Sequence, residues 1–319
     1  MSANIKFGTS GWRAIVADEF TVANIRLAVA GIAAYVKTQP KPHRVLVGRD
    51  PRFLGESFVD IAAKVLAGAG VTPIVISEAA PTPAIAYAVR TLKTSGAINF
   101  TASHNPPEYN GIKFSTHDGA PSLPEVTRQI EAAIGGFGDG ASIANGNVPE
   151  GGFETADVKP AFLKRLEELV DLKAIAKSGI KVVYDPFWGA GRGYSSDLLK
   201  GAGVAVETVH DYRDVLFGGH APEPDDHLLG DCKAKMREIG AALGIATDGD
   251  ADRLIEVVPA CRNGLIRDRR CEARIPHAPR RACRSQGHRQ VGHQGGLRSI
   301  LGRGPRVQLR PAERRGRGS

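Results

Sequence analysis

Short apolar runs that alternate with helical stretches constrain this chain more than any other feature. Arg44-Val-Leu-Val-Gly48, Val71-Thr-Pro-Ile-Val-Ile76 and Gly96-Ala-Ile-Asn-Phe100 have the length and content of buried strands. Val22–Val36 and Phe58–Leu66, interleaved with them, carry apolar residues at helical spacing. Such alternation predicts an α/β layer built on a largely parallel sheet. A Gly-rich stretch from Gly135 to Gly152 reads as a linker, and the alternation then restarts. Helices are expected over Ala156–Val170, Ser195–Leu199 and Cys232–Ile239. Strands are expected at Ile180–Tyr184, Val204–Val209, Leu243–Ala246 and Leu254–Val258, with a hairpin turn at Asn263-Gly264. At 319 residues the chain can bury two cores. The expectation is two similar three-layer α/β domains with mixed, largely parallel sheets, over 1–140 and 153–258. An irregular basic C-terminal tail over 259–319 follows them.

The net charge of +8 is unevenly divided. Eleven arginines lie between Arg280 and Arg317, and Glu313 is the only acid after Arg274, so 275–319 is +10 and 1–274 is −2. The last 45 residues hold no lysine and no aromatic residue, although lysine supplies 14 of the 31 basic residues before them. A nucleic-acid surface would account for arginine, but not for the loss of every aromatic and of all apolar periodicity. Nucleic acid is therefore not expected as a partner, and the segment cannot bury enough surface to offset its ordering entropy. A GC-rich coding sequence read in the wrong frame gives Arg, Gly, Pro and Ala in this mixture. The tail is expected to be truncated or frameshifted, with the break between about Val258 and Pro276. The start, Met1-Ser2-Ala3-Asn4-Ile5-Lys6, lacks a signal peptide's apolar core. Leu27–Val36 is about half of what a membrane span requires, so a cytoplasmic protein with no membrane partner is expected. Cys232, Cys261, Cys271 and Cys283 show no CxxC spacing, and neither a disulfide framework nor a zinc site is expected.

Three polar or Gly-rich segments carry the chemistry, two of them directly after a strand, where α/β proteins bind ligands. Thr101-Ala-Ser-His-Asn-Pro-Pro107 follows the strand ending at Phe100 and offers Ser103 as a nucleophile; a Ser/Asn-rich turn is the plainer reading. No Gly-x-Ser-x-Gly elbow surrounds it, so a hydrolase triad with His104 is not indicated. Asp248-Gly-Asp-Ala-Asp-Arg253 puts three carboxylates within five residues, which repel one another unless a cation lies between them. Hard oxygen donors favour Mg²⁺, with a solvated acidic turn as the alternative. An EF-hand fails because Arg253 and Pro259 stand where its glycine and glutamate belong. Phe7-Gly-Thr-Ser-Gly-Trp-Arg13 could bring backbone and Arg13 to a phosphate, or be a tight turn with an exposed arginine. Gly189-Ala-Gly-Arg-Gly193 is not a dinucleotide fingerprint, since Tyr194 takes its last glycine position, and no Gly-Lys pair offers a Walker A loop.

Taken together and in this order, these segments resemble the α-D-phosphohexomutase superfamily. Thr101-Ala-Ser-His-Asn-Pro is similar to its active-serine loop and Asn110-Gly-Ile-Lys-Phe114 to the Asn-Gly-x-Lys element that follows. Asp248-Gly-Asp-Ala-Asp-Arg253 is similar to its metal loop and Gly8-Thr-Ser-Gly-Trp-Arg13 to its N-terminal motif. The resemblance covers residues 1 to roughly 260 or 270. It implies a phosphotransferase that interconverts hexose 1-phosphate and hexose 6-phosphate, with hexose 1,6-bisphosphate as intermediate and activator. It implies that Ser103 carries the phosphoryl group and that Asp248, Asp250 and Asp252 bind Mg²⁺ together with an oxygen of the Ser103 phosphate. Arg13 and Arg253 would stabilise phosphoryl charge, and Lys113 and His104 would transfer protons to and from sugar hydroxyls. Thr-Ser-Gly-Trp and Thr-Ala-Ser-His lean toward phosphoglucomutase/phosphomannomutase rather than the glucosamine branch. The family's later Gly-Glu-x-Ser-Gly and Arg-x-Ser-Gly-Thr-Glu-Pro loops do not occur in this chain, so little turnover is expected of it. Two rival readings stay open: a non-catalytic Mg²⁺ and sugar-phosphate binding fragment, and a nucleic-acid-associated protein acting through the tail. The oligomeric state is not legible.

Overall fold

A computed structural model describes residues 5–8, 11–150 and 152–258. The Asn263-Gly264 turn, Cys261, Cys271, Cys283 and the whole of the expected tail lie outside the described residues. In chain order the first elements are β1 (Trp12–Ile15), α1 (Val22–Lys37), β2 (Arg44–Arg49), α2 (Gly55–Gly68), β3 (Thr72–Ile76), α3 (Thr82–Thr91), β4 (Gly96–Phe100), β5 (Tyr109–Thr116), α4 (Pro124–Gly135) and β6 (Glu154–Ala156). They continue with α5 (Lys159–Leu169), α6 (Leu172–Lys177), β7 (Lys181–Asp185), α7 (Ser195–Gly201), β8 (Ala205–Thr208), α8 (Gly230–Ile239), β9 (Leu243–Thr247) and β10 (Leu254–Val257). Two mixed, mostly parallel sheets result, ordered β1-β5-β4-β2-β3-β6 and β10-β9-β7-β8. Among the described strands, the pairs β1–β5, β5–β4 and β9–β10 are antiparallel and the rest parallel.

The strand period of two explains the layers. In β2, Val45 and Val47 point into a core shared with Ile25 and Ile32 of α1, Phe58 of α2 and Ile130 of α4. Leu46, between them, faces the other core, with Ala84, Ile85 and Val89 of α3. The second sheet repeats the device: Val183 packs with Cys232 and Met236 of α8, while Val182 and Tyr184 face Ile175 and Leu199 of α6 and α7. Local chemistry sets the ends of the helices. Thr21 caps α1 by accepting from the Asn24 amide, and Gly240 closes α8 in the left-handed conformation at φ 64°. No helix among the described residues is long and apolar enough to cross a membrane.

Two expectations need correction. The Gly-rich stretch does not hang free: Ile143 is buried, Arg26 donates to the Ile143 carbonyl at 2.5 Å and to Asn145, and the Gly146 amide donates to the Lys64 carbonyl at 2.8 Å. The Arg26 guanidinium of α1 and the Lys64 carbonyl of α2 give it anchors that glycine content alone does not reveal. The helix expected from Ala156 begins at Lys159, because 154–156 form β6 and pair with β3 of the first sheet. A division at 153 therefore does not coincide with a break in packing, and Phe162 and Leu163 of α5 also lie against the α3 core.

Candidate active site

The first sheet presents Ser103 at the C-terminal end of a strand in which every residue is buried, β4. Its amide donates to Thr101 Oγ1 at 2.8 Å, and the Asn105 amide donates to the Ala102 carbonyl at 3.0 Å. The tight loop places Ser103 at φ 53°, a left-handed conformation that costs a residue bearing a Cβ about 1–3 kcal/mol. Ser103 is almost fully buried in this strained turn.

The second sheet presents the Asp loop from the same kind of position, at the end of β9. Asp248 Oδ1 accepts from the Asp252 and Arg253 amides, both at 3.1 Å, which folds the loop back on itself. Asp248 Oδ2 accepts from Ser103 Oγ at 2.9 Å, joining the two loops. Gly249 permits the approach, since a Cβ there would stand 2.4 Å from the Ser103 carbonyl oxygen. Ligand atoms of Asp248, Asp250 and Asp252 all lie within 4.8 Å of one another. Asp250 Oδ2 accepts from Thr82 Oγ1 at 2.5 Å and from Lys113 Nζ at 2.6 Å, while its buried Oδ1 has no partner. A fully buried, unpartnered carboxylate oxygen beside two more carboxylates is a donor set that fits a hard divalent cation.

Electrostatics follow from burial and neighbours. Burial, reinforced by Asp250 and Asp252, pushes the Asp248 carboxyl up to about 8. Burial would do the same to Asp250, but the Lys113 ammonium, Thr82 and Ser103 hold it below the usual carboxylate range. Lys113 Nζ also lies 2.9 Å from Asp252; burial draws its pKa down, and the two carboxylates outweigh that and raise it. His104 Nδ1 lies 3.4 Å from Ser103 Oγ, and burial together with Arg253 and Arg13 lowers its pKa, favouring the neutral ring. Arg13 Nη1 donates to Asn105 Oδ1 at 2.8 Å, which ties the N-terminal motif to the serine loop.

Two family models match this architecture. The one described as phosphoglucomutase/phosphomannomutase, alpha/beta/alpha domain I covers residues 4–136, and the one for domain II covers 160–261. The chain belongs to the phosphoglucomutase/phosphomannomutase family. Its similar relatives include a phosphoglucomutase/phosphomannomutase from Thermococcus kodakarensis, 33% identical over 78% of this chain and 54% of the relative. A phosphoglucosamine/phosphogalactosamine mutase from Sulfurisphaera tokodaii is also 33% identical, over 78% and 54%. A crystal structure of a phosphomannomutase-type protein from Thermus thermophilus superposes with a TM-score of 0.75, at 34% identity, over 81% of this chain and 58% of that one. The chain thus spans about half the length of the curated relatives it matches.

The eight residues singled out from the sequence, Ser103, His104, Lys113, Arg13, Arg253, Asp248, Asp250 and Asp252, are brought together by linked contacts around the Ser103–Asp248 hydrogen bond, with Arg13 joined through Asn105. Arg253 is the most open, with its guanidinium 3.5 Å from Glu223. Thr9 and Ser10 of the N-terminal motif lie outside the described residues. The Gly189–Gly193 stretch, set aside as a dinucleotide motif, underlies the Asp loop: the Ala190 amide donates to the Gly249 carbonyl at 2.8 Å. Sequence reasoning missed Thr82, whose amide donates to the Asp250 carbonyl at 2.9 Å and whose hydroxyl accepts from Asn99 Nδ2 at 3.0 Å. It also missed the buried pair Asp50 and Arg52 behind the serine loop. Thr82-Pro at a helix start is a signal of helix position, and nothing in it points to a partner 168 residues away.

Proposed function

We propose that these residues form the phosphoryl-transfer half of a phosphohexomutase, in which Ser103 takes up and returns a phosphoryl group during interconversion of hexose 1-phosphate and hexose 6-phosphate. The observation that carries this reading is the 2.9 Å hydrogen bond from Ser103 Oγ to Asp248 Oδ2, inside a cluster of carboxylates and cations drawn from both sheets. In the forward step the bond from phosphorus to Ser103 Oγ breaks as a sugar oxygen bonds to phosphorus; the sugar hydroxyl gives up its proton, and Ser103 Oγ takes one up to leave as the hydroxyl. The product, a hexose 1,6-bisphosphate, must turn round before it returns its other phosphoryl group to Ser103. Neutral His104 is positioned to accept the proton, and Lys113 is the second candidate for proton transfer. Arg13 and Arg253 would offset the negative charge of the phosphoryl group.

Asp248, Asp250 and Asp252, with an oxygen of phosphorylated Ser103, would hold Mg²⁺. When bound, the ion neutralises charge on the phosphoryl oxygens, where phosphoryl transfer needs it most. The relatives act, by name, on glucosamine, galactosamine, glucose and mannose phosphates; the N-terminal and serine motifs favour glucose or mannose for this chain. Incubation with glucose 1,6-bisphosphate and Mg²⁺ should add one phosphoryl group to Ser103, read by intact and peptide mass spectrometry, and none to Ser103→Ala. Absence of the modification from the unaltered chain would sink this reading. A second reading is Mg²⁺ and sugar-phosphate binding without turnover. Remote contacts to the sugar and its second phosphate normally position the reacting hydroxyl. A coupled phosphoglucomutase assay with catalytic glucose 1,6-bisphosphate separates the two readings: turnover supports the first, and its absence the second.

A further inference from the structure

Arg52 is the bulkiest fully buried side chain among the described residues. A buried guanidinium is tolerated only when its donors are satisfied, and here all five N–H groups find acceptors. Nε donates to Asp50 Oδ2 at 3.1 Å. Nη1 donates to the carbonyls of Pro106 and Tyr109 at 2.7 and 2.9 Å, and Nη2 to those of Ser103 and Asn105 at 2.9 and 2.6 Å. Four of the five acceptors are thus main-chain oxygens of the segment from Ser103 to Tyr109. Asp50 extends the grip, because its Oδ2 also accepts from Thr101 Oγ1 at 2.6 Å, and that hydroxyl in turn accepts the Ser103 amide at 2.8 Å. The serine loop is therefore held from one side at its carbonyls and from the other at its amide. On its far side the guanidinium lies 4.9 Å from the ring centre of buried Phe217, which belongs to the second α/β region.

From this geometry we infer that Arg52, with Asp50 and Thr101, is the positioning residue that fixes the Ser103 loop in its left-handed turn and aims the hydroxyl at the Asp loop. The inference rests on the phosphoserine reading above. Lysine cannot replace Arg52, since one ammonium on a flexible stem cannot span four carbonyls that converge on a planar fork. Apolar content places Arg52 in no motif, and its role is visible only from where its five donors go.

The test uses the full chain carrying Arg52→Lys. Hydrogen exchange should show the Ser103, Asn105 and Tyr109 amides opening about tenfold or more faster, while β2 and β4 amides keep their protection. The maximal rate of phosphoryl uptake from glucose 1,6-bisphosphate should fall about tenfold or more, with the half-saturating concentration changed less than about twofold. Exchange and uptake equal to those of the unaltered chain, or protection lost evenly across the first sheet, would overturn the inference. If Arg52→Lys does not fold, Thr101→Val decides by the same readouts, because it removes the hydroxyl link and keeps the volume. If the unaltered chain takes no phosphoryl group, the phosphoserine reading fails, and the exchange pattern alone still decides the role of Arg52.

Discussion

Asp250 illustrates how much one side chain can be asked to do. It is fully buried, receives Thr82 and Lys113 on one oxygen and keeps the other unpartnered. Loss of a partner one step removed from a metal ligand already costs about 10–100-fold in affinity, so Asp250→Ala should weaken Mg²⁺ binding at least that much, measured by titration calorimetry; unchanged affinity would remove Mg²⁺ from the proposal. A different residue sets a pH dependence. His210 lies between Asp185 and Asp231, at 3.0 and 3.1 Å. Burial lowers its pKa, but the hydrogen bonds and charge of Asp185, then those of Asp231, outweigh this and hold it above the ordinary 6.5. A folded pKa above the unfolded one means stabilisation that is complete below the unfolded value and is lost as pH rises through the folded one. The Tm advantage of the unaltered chain over His210→Gln should therefore shrink as pH rises above the ordinary histidine value of 6.5, and an advantage that grows would refute the pairing. At this scale the serine loop, the Asp loop and Arg13 stood out in the sequence, because each lies in a polar or glycine-marked segment, whereas Lys113 was suggested only by the family resemblance. Thr82, Asn99, Asp50 and Arg52 did not stand out, since a single polar residue acquires its meaning from a partner distant in the chain.

Among the elements, the apolar strands β2, β3, β4, β7 and β9 were legible from content alone. β6, with three residues, is too short to show a period, and β5 was read as a motif before it was recognisable as a strand. Its Asn110-Gly111-Ile112-Lys113 carries both roles: Ile112 is core, and Lys113, on the opposite face, reaches Asp250. Loops that meet end to end need room for backbone, and Gly249 supplies it. Gly249→Ala puts a Cβ 2.4 Å from the Ser103 carbonyl oxygen, and backbone, unlike a side-chain tip, cannot swing aside. Overpacking of this kind costs about 1–3 kcal/mol. Urea unfolding should show that loss, and Mg²⁺ affinity should fall with it as the two loops are pushed apart. Stability and affinity both unchanged would mean that the loops are not in contact as described.

Across the whole molecule, the two sheets are joined by more than the site. Arg213 donates to the Pro51 carbonyl at 3.2 Å and pairs with Glu56 at 2.9 Å, and Phe217 packs on Arg52. Links of this sort couple the two parts, so they should unfold in one cooperative transition. The chain holds two tryptophans, Trp12 in the first sheet and Trp188 in the core of the second. Fluorescence of Trp12→Phe and Trp188→Phe in urea should give transitions that coincide with each variant's own loss of circular dichroism; a transition that departs from it would separate the parts. The 145-residue separation of Ser103 from Asp248 also has a consequence in time. At ribosomal rates of about 5–20 residues per second, the serine loop is made roughly seven to thirty seconds before the aspartates that complete it. Arg52 and Asp50 emerge ahead of Ser103, so a nascent chain already holds the means to shape the nucleophile's loop while the other half of its groove is still being translated.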